Sequence, residues 1–228
     1  MKANTRSWIV PACFFAVAAL VNLVARALGN GPVAAMVKPA LLPLITLTAV
    51  AASGGMKSKT MKLLVIAQLL GCAGDIFLIS SDFLPFVLGL CCFLAGHVFY
   101  CINFGGRSWK GLSIGQWAIA VAVMAVAVAG LLIGIGVKGT FLVPFAVYGF
   151  MLMLLIFSGL AGVIRGLKDS PTWWILTIGA VLFAFSDSLI AVQTFNSSSV
   201  LLEFLVMLTY IAAQCLLAWG AVRLNKAE

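Results

Sequence analysis

Eight apolar runs of roughly twenty residues each divide this chain, and very little lies between them. They are approximately Trp8–Leu28, Ala34–Ala52, Leu63–Ser80, Phe83–Phe104, Ile114–Gly136, Phe141–Ile164, Trp173–Phe195 and Val200–Leu224. A helix needs about 20 consecutive apolar residues to cross the hydrocarbon core of a bilayer. The pattern therefore predicts an all-α integral membrane bundle of eight transmembrane helices. The short connections hold turn formers: Gly29-Asn30-Gly31-Pro32, Ser53-Gly54-Gly55, Gly105-Gly106, Ser170-Pro171 and Asn196 to Ser199. Spans three and four are nearly continuous, which makes Ser81-Asp82 a very tight turn. No loop is long enough for a second domain, so residues 1–228 form one transmembrane domain. Only 9% of the residues are charged, against roughly 25% in soluble domains. A surface so poor in charge has lipid as its natural solvent.

The net charge of +8 does not signal nucleic acid, because the basic residues are spread between the apolar runs rather than gathered in a patch. Their distribution reads instead as topology. With the N-terminus inside, the cytoplasmic segments hold Lys2, Arg6, Lys57, Lys59, Lys62, Arg107, Lys110, Arg165, Lys168, Arg223 and Lys226. The other side keeps Arg26, Lys38 and Lys138. Eleven against three places both termini in the cytoplasm. The expected location is a bacterial inner (plasma) membrane or its equivalent. The first run is longer than the ~7–15 residues of a signal-peptide core, so it reads as a retained helix. The six cysteines all fall in apolar runs without a CxxC pair, and His97 is the one histidine. A structural zinc site needs about four Cys or His ligands at defined spacing. The cysteines therefore read as packed free thiols, and neither a metal nor a cofactor is expected.

Ionisable and polar side chains inside the runs carry the functional information, because each is costly in hydrocarbon unless paired or used. The charged candidates are Asp75, Asp187, Glu203 and Lys38, with His97 beside them. Asn22, Tyr148, Tyr210 and Gln214 are neutral companions. Glu203, Tyr210 and Gln214 share one helix face. So do Gln68, Gly71, Asp75 and Asp82, and His97 and Tyr100 share theirs with Phe93. Depths estimated at 1.5 Å per residue converge on the non-cytoplasmic half of the bundle, with His97 deeper, which describes a polar chamber. Asn22, Gln68 and Asn103 suit interhelical hydrogen bonding better than a site, Tyr148, Tyr210 and Gln214 suit either equally, and Asp82 reads as a solvated turn residue. A weak internal repeat runs through the set. Asp75 precedes His97 by 22 residues, and Asp187 precedes Tyr210 by 23. Four spans separate the aspartates, so a duplication into two four-helix repeats would be parallel.

Two carboxyl groups in a low-dielectric site do not both stay ionised. One keeps its proton while the other carries charge, which equips the site for general acid–base chemistry without a metal. A lone histidine argues against a multi-histidine zinc hydrolase. The lack of a GxSxG elbow argues against a serine esterase. A transporter or proton-coupled channel remains the competing class, with Pro39, Pro43 and Pro144 as marks of broken helices.

Several stretches in order resemble the lysoplasmalogenase, or YhhN-like, family of multi-pass membrane proteins. They are Lys38-Pro39 with Leu41-Leu42-Pro43, then Gly74-Asp75-Ile76-Phe77-Leu78, then Phe86, Gly89, Phe93, His97 and Tyr100. Pro144 and Tyr148, Ser186-Asp187-Ser188-Leu189, and Tyr210 with Gln214 complete the set, which covers roughly Val33 to Gly220. The resemblance implies a lysophospholipid substrate taken from the bilayer and hydrolysis of its vinyl ether bond, giving a fatty aldehyde and a glycerophospho-alcohol. Asp75 and Asp187 are then the expected acid and base, in either order. Lys38 would meet the phosphate. His97, Tyr100, Tyr148, Glu203, Tyr210 and Gln214 would orient water and head group. Asn22, in span one, lies outside the resemblance and joins the binding set on its depth alone.

Overall fold

The computed structural model describes residues 6–80 and 82–226. Lys2, counted in the charge asymmetry, and Ser81 of the tight turn lie outside the described residues. Among the described residues there are eight α-helices and no strand: α1 Ile9–Ala27, α2 Gly31–Ser53, α3 Lys59–Phe77, α4 Phe83–Ser108, α5 Ile114–Ile135, α6 Leu142–Ile164, α7 Ser170–Phe195 and α8 Val200–Lys226. All eight are long and apolar enough to cross a membrane. Their outward faces carry large apolar side chains such as Leu28, Met36, Val126 and Ile133 at 70% exposure or more. In water such a surface would aggregate; in a bilayer it is solvated. The protein is an integral membrane protein.

Most helix ends follow local chemistry. Ser58 and Asn30 accept hydrogen bonds from the backbone amides of Met61 and Val33, and Ser113 forms a capping box with Gln116. Gly54 and Gly136 end α2 and α5 in the left-handed conformation. Several boundaries differ from the sequence reading. Gly105-Gly106 is not a connection, because α4 runs through it to Ser108. A Cβ on Gly105 would fall 2.3 Å from the Trp109 ring, so this glycine makes room for packing. Ser170-Pro171 opens α7 instead of preceding it, since proline suits a first helical turn. Helix α3 stops at Phe77, so Leu78 to Asp82 connects it to α4. There Asp82 is a solvated turn residue whose carboxylate accepts from the Ser80 hydroxyl at 3.0 Å.

The expectation of broken helices is not met in α2, which continues through Pro39 and Pro43. Pro43 has no N–H to give to the carbonyl four residues back. That carbonyl, on Pro39, accepts from the Cys72 thiol of α3 at 3.4 Å. A neighbouring side chain thus takes up the freed acceptor, as a proline in a membrane helix requires.

Helices α2, α3, α4, α6, α7 and α8 close a ring, each packed on the next, with α8 returning to α2. Outside it, α1 lies on α2 and α8, and α5 lies on α6 and lightly on α7. The pairings repeat as a parallel duplication would repeat them. The α1–α2, α2–α3 and α3–α4 contacts have counterparts in α5–α6, α6–α7 and α7–α8, and α4 on α6 has its counterpart in α8 on α2. The correspondence fails across the ring. Helix α3 packs directly on α8, whereas the backbones of α4 and α7 do not come close. The space left between α4 and α7 is where the site opens.

Candidate active site

Asp75 sits in the last turn of α3, and the glycines before it explain its burial. A Cβ on Gly71 would fall 2.8 Å from Leu42, and one on Gly74 would fall 2.7 Å from the Phe93 ring. Only bare backbone lets α3 press so closely on α2 and α4. Asp75 is therefore 1% exposed. Its Oδ1 forms an ion pair with Lys38 Nζ at 3.1 Å, and its Oδ2 accepts from the Tyr210 hydroxyl at 2.7 Å. A carboxylate so deeply desolvated is sustained only by such partners.

Asp187 sits on α7. The preceding Ser186 donates to the Val206 carbonyl at 3.0 Å and holds that face of α7 against α8. Asp187, one residue on, points toward α6, where the Tyr148 hydroxyl donates to its Oδ2 at 2.5 Å. No described group pairs with its other oxygen. Asp187 is only half-buried although it lies inside the bundle. It lines a narrow cavity of about 40 Å³, room for a few waters, whose other walls include Leu78, Phe86, Leu90, Phe93 and Phe145. Asp75 and Lys38 lie within electrostatic range of Asp187.

Aromatic rings fill the space between the two carboxyl groups. Tyr210 meets Phe183 edge to face at 5.6 Å, Phe183 meets His97 at 4.6 Å, and His97 meets Tyr148 at 5.5 Å. His97 is 1% exposed, and neither ring nitrogen makes a well-aligned hydrogen bond with a described group. Its polar neighbour is the carbonyl of Phe93, one turn earlier. Buried polar atoms usually have partners, so His97 is the polar group of the wall with capacity to spare.

The remaining expected residues divide by depth. Tyr100 donates to Gln214 Oε1 at 2.8 Å and stacks on Phe104, while Gln68 accepts from Thr46 at 2.8 Å. This interhelical layer lies beyond the aspartates and borders neither the cavity beside Asp187 nor the space lined by Lys38 and Glu203. Asn103 ties α4 to α3 by donating to the Thr60 carbonyl at 2.9 Å. Asn22, expected among the binding residues, ties α1 to α2, its Nδ2 donating to the Ala34 carbonyl at 2.8 Å. Ala34 is small and fully buried, so the two helices approach closely there, and the Asn22 Oδ1 makes no hydrogen bond with a described group.

Glu203 pairs with Arg26 at 2.6 Å and not with Lys38. Arg26 was not among the expected site residues. Its signal was its place four residues after Asn22, on the same face of α1. Arg26, Lys38, Gln193, Ser198 and Glu203 line a polar vestibule of about 310 Å³ at this end of the bundle. Leu78, Phe86 and Ile190 border both vestibule and inner cavity. The opposite end is tied by other charges: Arg223 pairs with Asp169 at 2.9 Å, and Arg165 donates to the Ser108 carbonyl at 2.9 Å.

An apolar helical bundle that encloses a lysine, two aspartates and a histidine is a polytopic membrane protein with an intramembrane polar site. The chain belongs to the YhhN family, whose pattern matches residues 33–221. It is also similar to a human protein named lysoplasmalogenase TMEM86B, with 30% identity over 138 residues, 60% of this chain and 54% of the relative. The chain thus aligns with about half the length of that curated relative. No solved structure matches.

Proposed function

We propose that this protein hydrolyses the vinyl ether bond of lysoplasmalogens, with Asp187 and Asp75 as the working carboxyl groups. The observation that carries the reading is the unequal setting of the two. Asp75 is saturated by Lys38 and Tyr210, whereas Asp187 has one partner, Tyr148, and faces a cavity. Lys38 and the Tyr210 hydroxyl occupy both oxygens of Asp75. Asp187, with an oxygen left over, is free to exchange a proton with a substrate.

In this mechanism protonated Asp187 gives its proton to the β-carbon of the vinyl ether. The π electrons form the new C–H bond, and the ether oxygen shares the resulting positive charge as an oxocarbenium ion. Water adds to the α-carbon and passes a proton to the Asp187 carboxylate, restoring the acid. The hemiacetal then gives up its hydroxyl proton as that oxygen becomes the carbonyl, the C–O bond to glycerol breaks with its electron pair going to the leaving oxygen, and that oxygen takes up the proton, releasing the fatty aldehyde and the glycerophospho-alcohol. Asp75 and the surrounding rings stabilise the cation, a preorganised electrostatic role. The division of labour resembles that of paired carboxyl groups in glycoside hydrolysis. His97 is suited to hold the attacking water, and Lys38 and Arg26 to meet the phosphate in the vestibule. The family membership and the name of the human relative support the substrate class.

Incubating purified protein in detergent with alkenyl, alkyl and acyl lysophospholipids tests this. Aldehyde should appear from the alkenyl substrate alone. Its absence from folded protein would overturn the reading in favour of transport, which needs a sealed membrane to be observed.

A further inference from the structure

We propose that the groove between α4 and α6 seats the single hydrocarbon chain of the substrate and delivers the apolar product sideways into the bilayer. The proposal rests on the reading that the site handles a single-chain lipid. On the side of α4 and α6 that faces lipid lies a groove of about 470 Å³ with almost wholly apolar walls. Val87, Cys91 and Leu94 form its α4 side, and Val143, Val147 and Tyr148 its α6 side.

Three spaces join at shared walls. Phe86 borders the vestibule, the inner cavity and the groove alike. Leu90, Phe145 and Tyr148 separate the inner cavity from the groove, and Tyr148 carries the hydroxyl bound to Asp187. Charged Arg26 and Lys38, then Asp187, then a hydrocarbon-facing slot therefore lie in order, divided from one another by single side chains. Polarity changes once along this order, at the carboxyl group. A single-chain phospholipid has the same layout: an anionic phosphate, a glycerol link, then a chain. The inner cavity, at about 40 Å³, is too small for that chain, so the chain must pass Phe86 and Leu90 into the groove. The products then part by solubility, the polar alcohol through the vestibule and the aldehyde into lipid.

The test is photo-crosslinking of the full chain in nanodiscs of diacyl lipid. The probe is a non-hydrolysable alkyl-ether lysophosphoethanolamine with a diazirine at the chain terminus. Label should concentrate on residues 87–94 and 143–148, and excess unlabelled ether lysolipid should remove it. Val147→Trp should abolish most of this labelling, while Val126→Trp, on the lipid-facing side of α5, should leave it intact. Label spread evenly over α1 and α5 would overturn the proposal. So would label in the groove lined by Phe15, Ile45 and Trp219 at the opposite end. Label that competitor does not remove would mean that ordinary bilayer chains fill the slot, which also overturns it. Failure here is distinguishable from failure of the proposed reaction. Aldehyde release with labelling elsewhere removes the groove alone, and competed labelling without aldehyde removes the reaction alone.

Discussion

Asp75 and Asp187 occupy matching places in the two halves of the chain, yet their surroundings set them apart. Asp187→Asn removes a proton donor but no ion pair. It should keep the fold and lower turnover by at least ~10²-fold, the lower end for general acid–base catalysis. Asp75→Asn leaves Lys38 without its counter-ion, so it should lower both turnover and the unfolding temperature in detergent. Breaking a buried pair costs about 3–5 kcal/mol, and Lys38→Met added to Asp75→Asn should recover most of the lost stability without recovering activity. Equal unfolding temperatures for the two single Asn variants would show that the Lys38 pair carries no structural weight. On activity, the double Asn variant should be little worse than the poorer single one, because both groups act on one transition state. The wild-type rate should be bell-shaped in pH. It should fall at low pH as the required anion gains a proton and at high pH as the required acid loses one. A flat profile would remove the acid from the mechanism.

At the scale of elements, close approach depends on glycine. On α6, a Cβ at Gly159 would sit 2.9 Å from the Thr177 Cα, and one at Gly162 would sit 2.1 Å from the Trp173 ring. The obstacle at Gly159 includes backbone, which cannot rotate away. Gly159→Ala should therefore cost about 1–3 kcal/mol as an overpacking change. Gly130→Ala on α5, where nothing lies within 4 Å, should be neutral or slightly stabilising. Thermal unfolding of both in detergent checks the contrast, and equal stability would mean that the α6–α7 interface yields freely. The misread boundaries have a related cause. Glycine and proline punctuate loops in soluble sequences, but in this bundle Gly105 clears space for Trp109 and Pro43 frees a carbonyl that Cys72 takes.

For the whole molecule, eight crossings would place both termini on one side of the membrane, and the distribution of Lys and Arg predicts that side to be cytoplasmic. Reporter fusions at each end should be active only inside; an active external reporter at either terminus would break that topology. Substrate would then enter the vestibule from the opposite leaflet. The spans, the helical class and some of the buried polar residues, among them Asp75, His97 and Gln214, were legible in the sequence. Hydrocarbon imposes a length and a polarity on every segment separately, and that condition is local. Which polar groups meet was not legible, because their pairing crosses the ring. Asp75 finds Lys38 and Tyr210, at separations of 37 and 135 residues in the chain, while Asp187 finds Tyr148. The sequence presents two equivalent aspartates. Their difference arises because α3 touches α8 while α4 and α7 stay apart. That packing closes one carboxylate and leaves the other facing a cavity, an arrangement that no single helix carries in its own residues.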